Sequence, residues 1–145
     1  MLCTIAVRIV FHDLSENEIR EKFFSKKEDK VIFDFNRIVP LDIIGEDKSE
    51  CYILESKMRD EWGCWSNSIE SNINKNQVFF LTIGRPPKQI FKKLHKKRIH
   101  FTAYFSCADC DENTGIAISD DDGYVITEWK YSDVTTRNIH KKALG

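Results

Sequence analysis

Two cysteines at the spacing Cys-x-x-Cys, Cys107 and Cys110, are the residues whose types and spacing most directly indicate chemistry. The spacing suits two zinc ligands on a turn, or a redox pair. A structural zinc site normally needs four ligands, and Cys64, His95 or His100 would complete one only if folding brought them close. A thioredoxin-like pair opens a helix after a strand, whereas an acidic loop surrounds this one. We therefore predict ordinary reduced thiols without metal or cofactor, and keep zinc binding and redox chemistry as alternatives.

Carboxylates crowd the same loop and the next one. Such groups can bind calcium or magnesium, but their spacing does not match an EF-hand loop. A hairpin turn at Asp121-Asp122-Gly123 explains the second group by itself, so we predict solvated loops. The carboxylates are those of Asp109, Asp111, Glu112, Asp120, Asp121 and Asp122.

Common catalytic motifs are missing from the chain. It has no serine nucleophile elbow, HExxH, P-loop or GxGxxG pattern. Its four histidines have no Asp or Cys partner at a fixed spacing. We predict that the protein is not an enzyme.

The composition is that of one globular domain. The chain has 145 residues, of which 41% are hydrophobic and 31% charged, with a net charge of −1. No apolar run approaches the roughly 20 residues of a membrane span, and the N-terminus has the pattern of a strand rather than a signal peptide. Five cysteines without a secretory signal indicate reduced thiols. We expect a cytoplasmic protein with no membrane contact.

The first half of the chain shows a strand, a helix and a second strand. Residues 3–11 alternate in polarity, and Ser15 with Glu18 matches a capping box that begins a helix. The lysine-rich residues 25–30 are predicted to close that helix, and residues 31–36 to form the second strand.

The second half repeats the order with clearer periodicity. Residues 78–83 are apolar on both faces, which is typical of a central strand. A helix begins near Pro86, and residues 99–105 alternate again. Two further strands flank Asp121-Asp122-Gly123, as in a hairpin. The predicted apolar side of the helix consists of Pro87, Ile90, Phe91 and Leu94.

This order predicts an α+β fold, a ferredoxin-like β-α-β-β-α-β sandwich with two helices on one face of an antiparallel sheet. Residues 1–129 would form the domain. Residues 41–76, with a helix near 49–59, would be a central insertion, and the C-terminal β-hairpin an addition. Residues 130–145 are assigned to a loose C-terminal tail.

Four stretches together resemble the YubB ferredoxin-like family of plasmids and phages, whose function is unknown. They are FDFNRIVP (33–40), DEWGCWS (60–66), FLTIGRPPKQIFKKLHKK (80–97), and the acidic, glycine-containing stretch after Tyr104. DEWGCWS is similar to a Trp-Gly-x-x-Trp-like element, although here one residue separates Gly63 from Trp65. The resemblance implies the fold and a mobile-element setting, and it supplies no catalytic residues.

Two tryptophans lie close together in DEWGCWS. Trp62 and Trp65 are predicted to anchor the insertion onto the sheet, with Gly63 permitting a bend between them. The alternative is that one of the rings is an exposed anchor for a partner.

Charge is distributed unevenly along the chain. Residues 78–108 contain no Asp or Glu, whereas residues 109–128 contain no Lys or Arg. The structural interpretation of the basic segment is an ordinary solvated helix face. The functional interpretation is a docking ridge over residues 85–98 for nucleic acid or an acidic protein. The acidic hairpin, with Asp120, Asp121 and Asp122, would fit a basic groove of a partner. The ridge comprises Arg85, Lys88, Lys92 and Lys96, with Lys93, Lys97 and Arg98 nearby.

The uncovered face of the predicted sheet is a second candidate surface. Phe80 and Tyr104 would be stacking platforms for RNA bases there, with Arg8 and His100 beside them. The RNP1 pattern is missing, and the hairpin or the insertion would be placed to cover this face.

We therefore expect a non-enzymatic binding module of mobile-element type that docks on a host protein or complex. By analogy with that setting, its effect would be to inhibit a defence system. The alternative is a nucleic-acid-binding module that uses the basic ridge or the open sheet face. A small zinc protein centred on Cys107 and Cys110 is a third hypothesis.

Overall fold

The computed structural model describes residues 3–41, 51–107, 113–129 and 134–144. In these ranges eight strands and four helices follow one another in chain order, with one short 3-10 turn, Phe35–Arg37. The strands are β1 (Thr4–Phe11), β2 (Phe24–Lys27), β3 (Lys30–Phe33), β4 (Ile69–Asn74), β5 (Gln77–Ile83), β6 (Phe101–Cys107), β7 (Thr114–Asp120) and β8 (Gly123–Trp129). The helices are α1 (Glu16–Phe23), α2 (Cys51–Trp62), α3 (Lys88–Lys96) and α4 (Val134–Leu144).

A six-stranded sheet with the order β4-β5-β1-β6-β7-β8 forms the centre of an α+β structure. Each pair of neighbouring strands in it is antiparallel. The prediction that residues 78–83 form a central strand is confirmed, because β5 pairs with β1 on one side and β4 on the other. No helix in the described ranges has the length and apolar character needed to cross a bilayer.

The main core lies on one face of this sheet, under α1 and α3. The alternation predicted for β1 is confirmed, since Ile5, Ile9 and Phe11 have no exposed surface. The predicted capping box is also present: the Glu18 amide donates to Ser15 Oγ at 3.3 Å, and the Ser15 amide donates to Glu18 Oε1 at 3.1 Å. Helix α3 buries the predicted apolar side, with Ile90, Phe91 and Leu94 fully covered.

The prediction of a second strand at residues 31–36 is wrong for the main sheet. Among the described strands, β2 and β3 pair with each other alone, in a separate two-stranded sheet, and residues 35–37 form the 3-10 turn. The lysines expected to close α1 lie instead on this hairpin, since α1 ends at Phe23. The reason is the pair Phe24 and Phe33, whose rings lie 5.8 Å apart and which both bury against the core. Local alternation predicts a strand and does not choose its sheet.

The strand beside β5 comes from the segment expected to be an insertion. Ile69 pairs with Leu81, and Ile73 with Val78, so β4 is an edge strand of the main sheet. Its sequence, IESNIN, is mostly polar because only one face of an edge strand meets the core here. Helix α2 lies close to the helix predicted at residues 49–59.

Residues 134–144, which the sequence assigns to a loose tail, form α4 on the second face of the sheet. This helix contacts β1, β6 and β7, and its Ile139 and Ala143 are each 3% exposed. Arg8 Nη1 donates to the Lys142 carbonyl at 3.3 Å. Among the described residues, α4 covers this face, whereas the hairpin and the described strand of the insertion extend the sheet itself.

Candidate docking surface

Helix α3 runs beside the edge strand β8 in the opposite direction. At one end the Lys88 ammonium forms an ion pair with the Glu128 carboxylate. At the other end the His95 ring stacks on Tyr124, with centroids 5.6 Å apart, and His95 Nδ1 bonds Ser119 Oγ at 2.7 Å. Seven helical residues and four strand residues each span on the order of 10 Å, so the two contacts keep the elements in line.

Lys92 lies between these two contacts on the same side of α3, four residues after Lys88 and three before His95. Lys96 continues the row by one turn, and both side chains are exposed. No residue in the described ranges forms an ion pair with either lysine. We call the row of Lys88, Lys92 and Lys96, together with β8, the α3–β8 surface.

Additional positive charge follows at the end of α3. Lys93, Lys97 and Arg98 are exposed, and none of them forms an ion pair within the described part of the chain. Partial burial and the charge of Lys93 lower the pKa of Lys97. Lys93 and Lys97 therefore repel each other, and a nearby anionic group of a partner would relieve this repulsion.

Carboxylates lie at both ends of the lysine row. Glu128 pairs with Lys88, and Asp120 and Asp121 line a hollow that Lys96 also lines. His100, a candidate for nucleic-acid contact, bonds Asp13 through Nδ1 at 3.1 Å and lies 3.3 Å from Asp121 through Nε2. The basic helix and the acidic hairpin, expected as two surfaces, are thus adjacent parts of one mixed surface.

Arg85 belongs to a different part of the molecule. Its guanidinium lies over the Trp65 ring, 5.4 Å from the centroid. That ring is half-buried, and it packs against Gly84 so closely that a Cβ built there would lie 1.5 Å from Trp65 Cε3. Trp65 thus holds the β5–α3 connection and keeps some exposed surface.

The interpretation of Trp62 as a partner-binding anchor is wrong for this structure. Its side chain is 2% exposed, its indole N–H donates to the Val39 carbonyl at 2.8 Å, and it meets Phe35 edge-on at 5.5 Å. Gly63, with φ +88°, ends α2 and permits the bend. These contacts fit the prediction that Trp62 anchors the segment of residues 41–76.

The expected RNA platform is also incorrect, because Phe80 faces the other way. Phe80 pairs with the inward-facing Val7, is 3% exposed and contacts Phe33 at 5.4 Å. Phe79 occupies the second face instead, under the Arg8 guanidinium at 5.3 Å. Tyr104 lies on that face too, beneath Lys142 of α4 at 5.3 Å. Arg8 and Tyr104 share a face without Phe80.

Sequence reasoning missed two exposed apolar residues of β7 and β8, on the face of the sheet turned away from α3. Val125 is 62% and Ile118 39% exposed, and they pair across β7 and β8. The signal was present in β8 itself, GYVITEW, which is rich in β-branched and aromatic residues although it forms an edge.

Of the two cysteines at the Cys-x-x-Cys spacing, Cys107 lies within the described residues. Cys107 is buried, whereas Cys110, Asp109, Asp111 and Glu112 lie outside the described residues. Within the described ranges, no group of three or more His, Cys, Asp or Glu side chains is placed to hold a metal ion. Asp122 is at the hairpin turn, where its amide donates to Asp120 Oδ1 at 2.9 Å.

Cys64 should be unreactive while the protein is folded. It has no exposed surface, and burial raises its pKa from 9.0 to about 12. At pH 8 this shift lowers the thiolate fraction on the order of a thousandfold. We expect mass spectrometry after iodoacetamide treatment to show alkylation of Cys64 at least about a hundredfold slower in the native protein than in urea. Equal rates in both states would contradict its burial.

Comparison of the chain with protein-family models, curated proteins and solved structures gave no match.

Proposed function

We propose that this protein is a non-enzymatic binding module that docks an acidic surface of another protein on the α3–β8 surface. One observation carries the proposal. Lys92 and Lys96 stand exposed on a helix whose opposite side is fully buried, and the neighbouring edge strand exposes Val125 on the side of the sheet turned away from that helix. A rigid helix whose cations form no ion pair with any described residue offers charges that complement carboxylates on a partner protein.

The same geometry favours protein over nucleic acid. A duplex or single strand of nucleic acid presents a continuous row of phosphates. Such a row would be repelled here, because the carboxylates of Glu128, Asp120 and Asp121 lie at the two ends of the lysine row. A protein partner can place its own charges to match such a pattern. The basic ridge is still available for nucleic-acid binding, but Phe80 and Tyr104 cannot act together as stacking platforms for bases, since Phe80 is buried.

The proposal extends to fold and setting. The order β4-β5-β1-β6, with α1 and α3 as the connections, supports a ferredoxin-like unit to which β7, β8 and α4 are added. The resemblance to the YubB family supports an origin in a plasmid or phage, hence a host protein as partner. Inhibition of a defence complex is part of this proposal by analogy of setting. The five cysteines support a cytoplasmic location.

Charge reversal at Lys92→Glu/Lys96→Glu should abolish capture of the partner. The matched control is Lys26→Glu/Lys30→Glu, which gives the same net charge at two exposed lysines of the β2–β3 hairpin. Tagged wild type and both variants would be used for affinity capture from bacterial lysate with quantitative mass spectrometry. We expect a protein that wild type and control retain and the α3 variant loses, at least about tenfold.

Two results would contradict the proposal. One is the absence of any protein with that pattern of retention. The other is binding of mixed-sequence DNA or RNA oligonucleotides, measured by fluorescence anisotropy at low salt, that the α3 variant abolishes and the control keeps. That second result would establish the nucleic-acid alternative.

A further inference from the structure

We infer that the outer edge of β8 accepts one extended segment of a partner in which acidic and apolar residues alternate. The inference rests on the proposed function, since it specifies which partner chemistry the α3–β8 surface takes. Two separate features of β8 support it, namely its uncovered main-chain groups and the different character of its two sides.

Among the described residues, strand β8 lacks the proline, lysine and bulge that often keep an edge strand from pairing. Its seven residues contain no proline or lysine, and their register with β7 is unbroken from Thr114–Trp129 to Asp120–Gly123. No strand in the described part of the chain pairs with its outer edge. The hairpin turn closes with Asp120 and Gly123, so the main-chain groups of Tyr124, Ile126 and Glu128 point to that edge.

The opposite edge of the sheet is protected. Strand β4 has a break in register between Ile69 and Asn72, and Glu70 there has φ +53°. Strand β3 lies beside it, and Ser68 Oγ donates to the Phe33 carbonyl. A bulge and a covering hairpin are two known means of blocking an edge, and β8 has neither among its described neighbours.

The two sides of β8 differ in chemistry, and this selects the occupant. Side chains of an added strand would point alternately toward α3 and away from it. Toward α3 they meet the exposed Lys92 and Lys96. On the other side they meet Val125, which is 62% exposed. Charge and apolar area are therefore both matched by a segment with acidic residues at every second position.

A second copy of this chain fits less well. Antiparallel pairing of β8 with itself has its twofold axis perpendicular to the sheet, so both copies of α3 lie on the same side. The rows of Lys92 and Lys96 would then face each other, and like charges across an interface disfavour association.

The test uses a fluorescein-labelled ten-residue peptide in which glutamate alternates with valine and threonine. Its controls are the same composition in block order and the same peptide with lysine for glutamate. We expect anisotropy to show binding of the alternating peptide alone, with weakening as salt is raised from low to about 0.3 M. Hydrogen exchange should show new protection of the amides of Tyr124, Ile126 and Glu128.

The decisive variant is Val125→Lys, with Val31→Lys as its control on another exposed strand position, 52% exposed. A simple attraction between charges predicts equal or tighter binding of an acidic peptide to both variants. Edge pairing predicts about fivefold or greater weakening for Val125→Lys and less than twofold for Val31→Lys, because only the first removes an apolar contact.

Each other outcome overturns the inference in a distinguishable way. If the peptide is lost with Lys92→Glu/Lys96→Glu and unaffected by Val125→Lys, the edge inference fails and α3 docking stands. If neither variant changes binding, or the alternating peptide does not bind, the edge inference fails, and partner capture decides the proposed function separately. A dimer in sedimentation equilibrium that Val125→Lys dissociates would assign the edge to a second copy.

Discussion

Replacing Phe33 by alanine is expected to lower the free energy of unfolding by about 3–5 kcal/mol. Phe33 has no exposed surface, and its ring contacts five other phenylalanine rings at centroid distances of 5.4 to 6.3 Å. Removing it leaves a cavity that the surrounding rings cannot close, because they belong to different elements. Those rings are Phe11, Phe23, Phe24, Phe35 and Phe80.

Urea denaturation followed by circular dichroism measures this effect, with Val31→Ala as the control. Val31 lies two residues earlier on the same strand and is 52% exposed, so its truncation should change stability by less than about 0.5 kcal/mol. Hydrogen exchange should show that β2 and β3 lose protection first in Phe33→Ala. A loss below about 1 kcal/mol for Phe33→Ala would show that the hairpin is not packed on the sheet as described.

Gly84→Ala is expected to destabilise the protein by about 2–6 kcal/mol, from two separate causes. Gly84 has φ +90°, a conformation that costs an L-residue about 1–3 kcal/mol. In addition, the new Cβ would overlap Trp65 Cε3, and relief of such overpacking costs about 1–3 kcal/mol. Because Trp65 holds the connection from β5 to α3, the change should also loosen the start of α3.

Two comparisons separate these causes. Gly123→Ala has a positive φ of 138° but no atom near the added Cβ, so it should show the backbone cost alone. In a Trp65→Ala background, Gly84→Ala should cost about 1–3 kcal/mol less than in wild type, which a double-mutant cycle measures. Equal effects of Gly84→Ala in both backgrounds would rule out contact between the ring and the glycine.

Both stability predictions bear on the docking surface. The aromatic cluster around Phe33 fixes β1 and β5 beneath α1, and the Trp65–Gly84 contact fixes the chain where it enters α3. Lys92 and Lys96 can match a partner's charges only if α3 is held rigidly, because ordering a mobile helix on binding would cost affinity. Partner binding should therefore be more sensitive to Gly84→Ala than to Val31→Ala, which lies outside this surface.

The elements that depend on local pattern could be predicted from the sequence. Alternation predicted β1 and β6, and the capping box of Ser15 and Glu18 placed the start of α1. Proline and an apolar stripe placed α3, and Asp121-Asp122-Gly123 placed the last hairpin. These signals are local, since side-chain period, caps and turns involve residues within a few positions of one another. The lysine row also followed from helical spacing.

Only the tertiary structure decided which strands meet and which side of β5 faces the core. The sequence predicts a strand at residues 31–36 and an insertion at 41–76. In the structure residues 69–74 pair with β5, and burial of Phe24 with Phe33 holds residues 30–33 in a separate hairpin. Strand β5 is apolar on both sides, so its sequence does not indicate which side faces the core. Phe80 pairs with the inward-facing Val7 and therefore points into the core. The lysine row became a candidate site because strand order brought β8 alongside α3. Residues far apart in sequence meet through long-range pairing, and no local pattern encodes that choice.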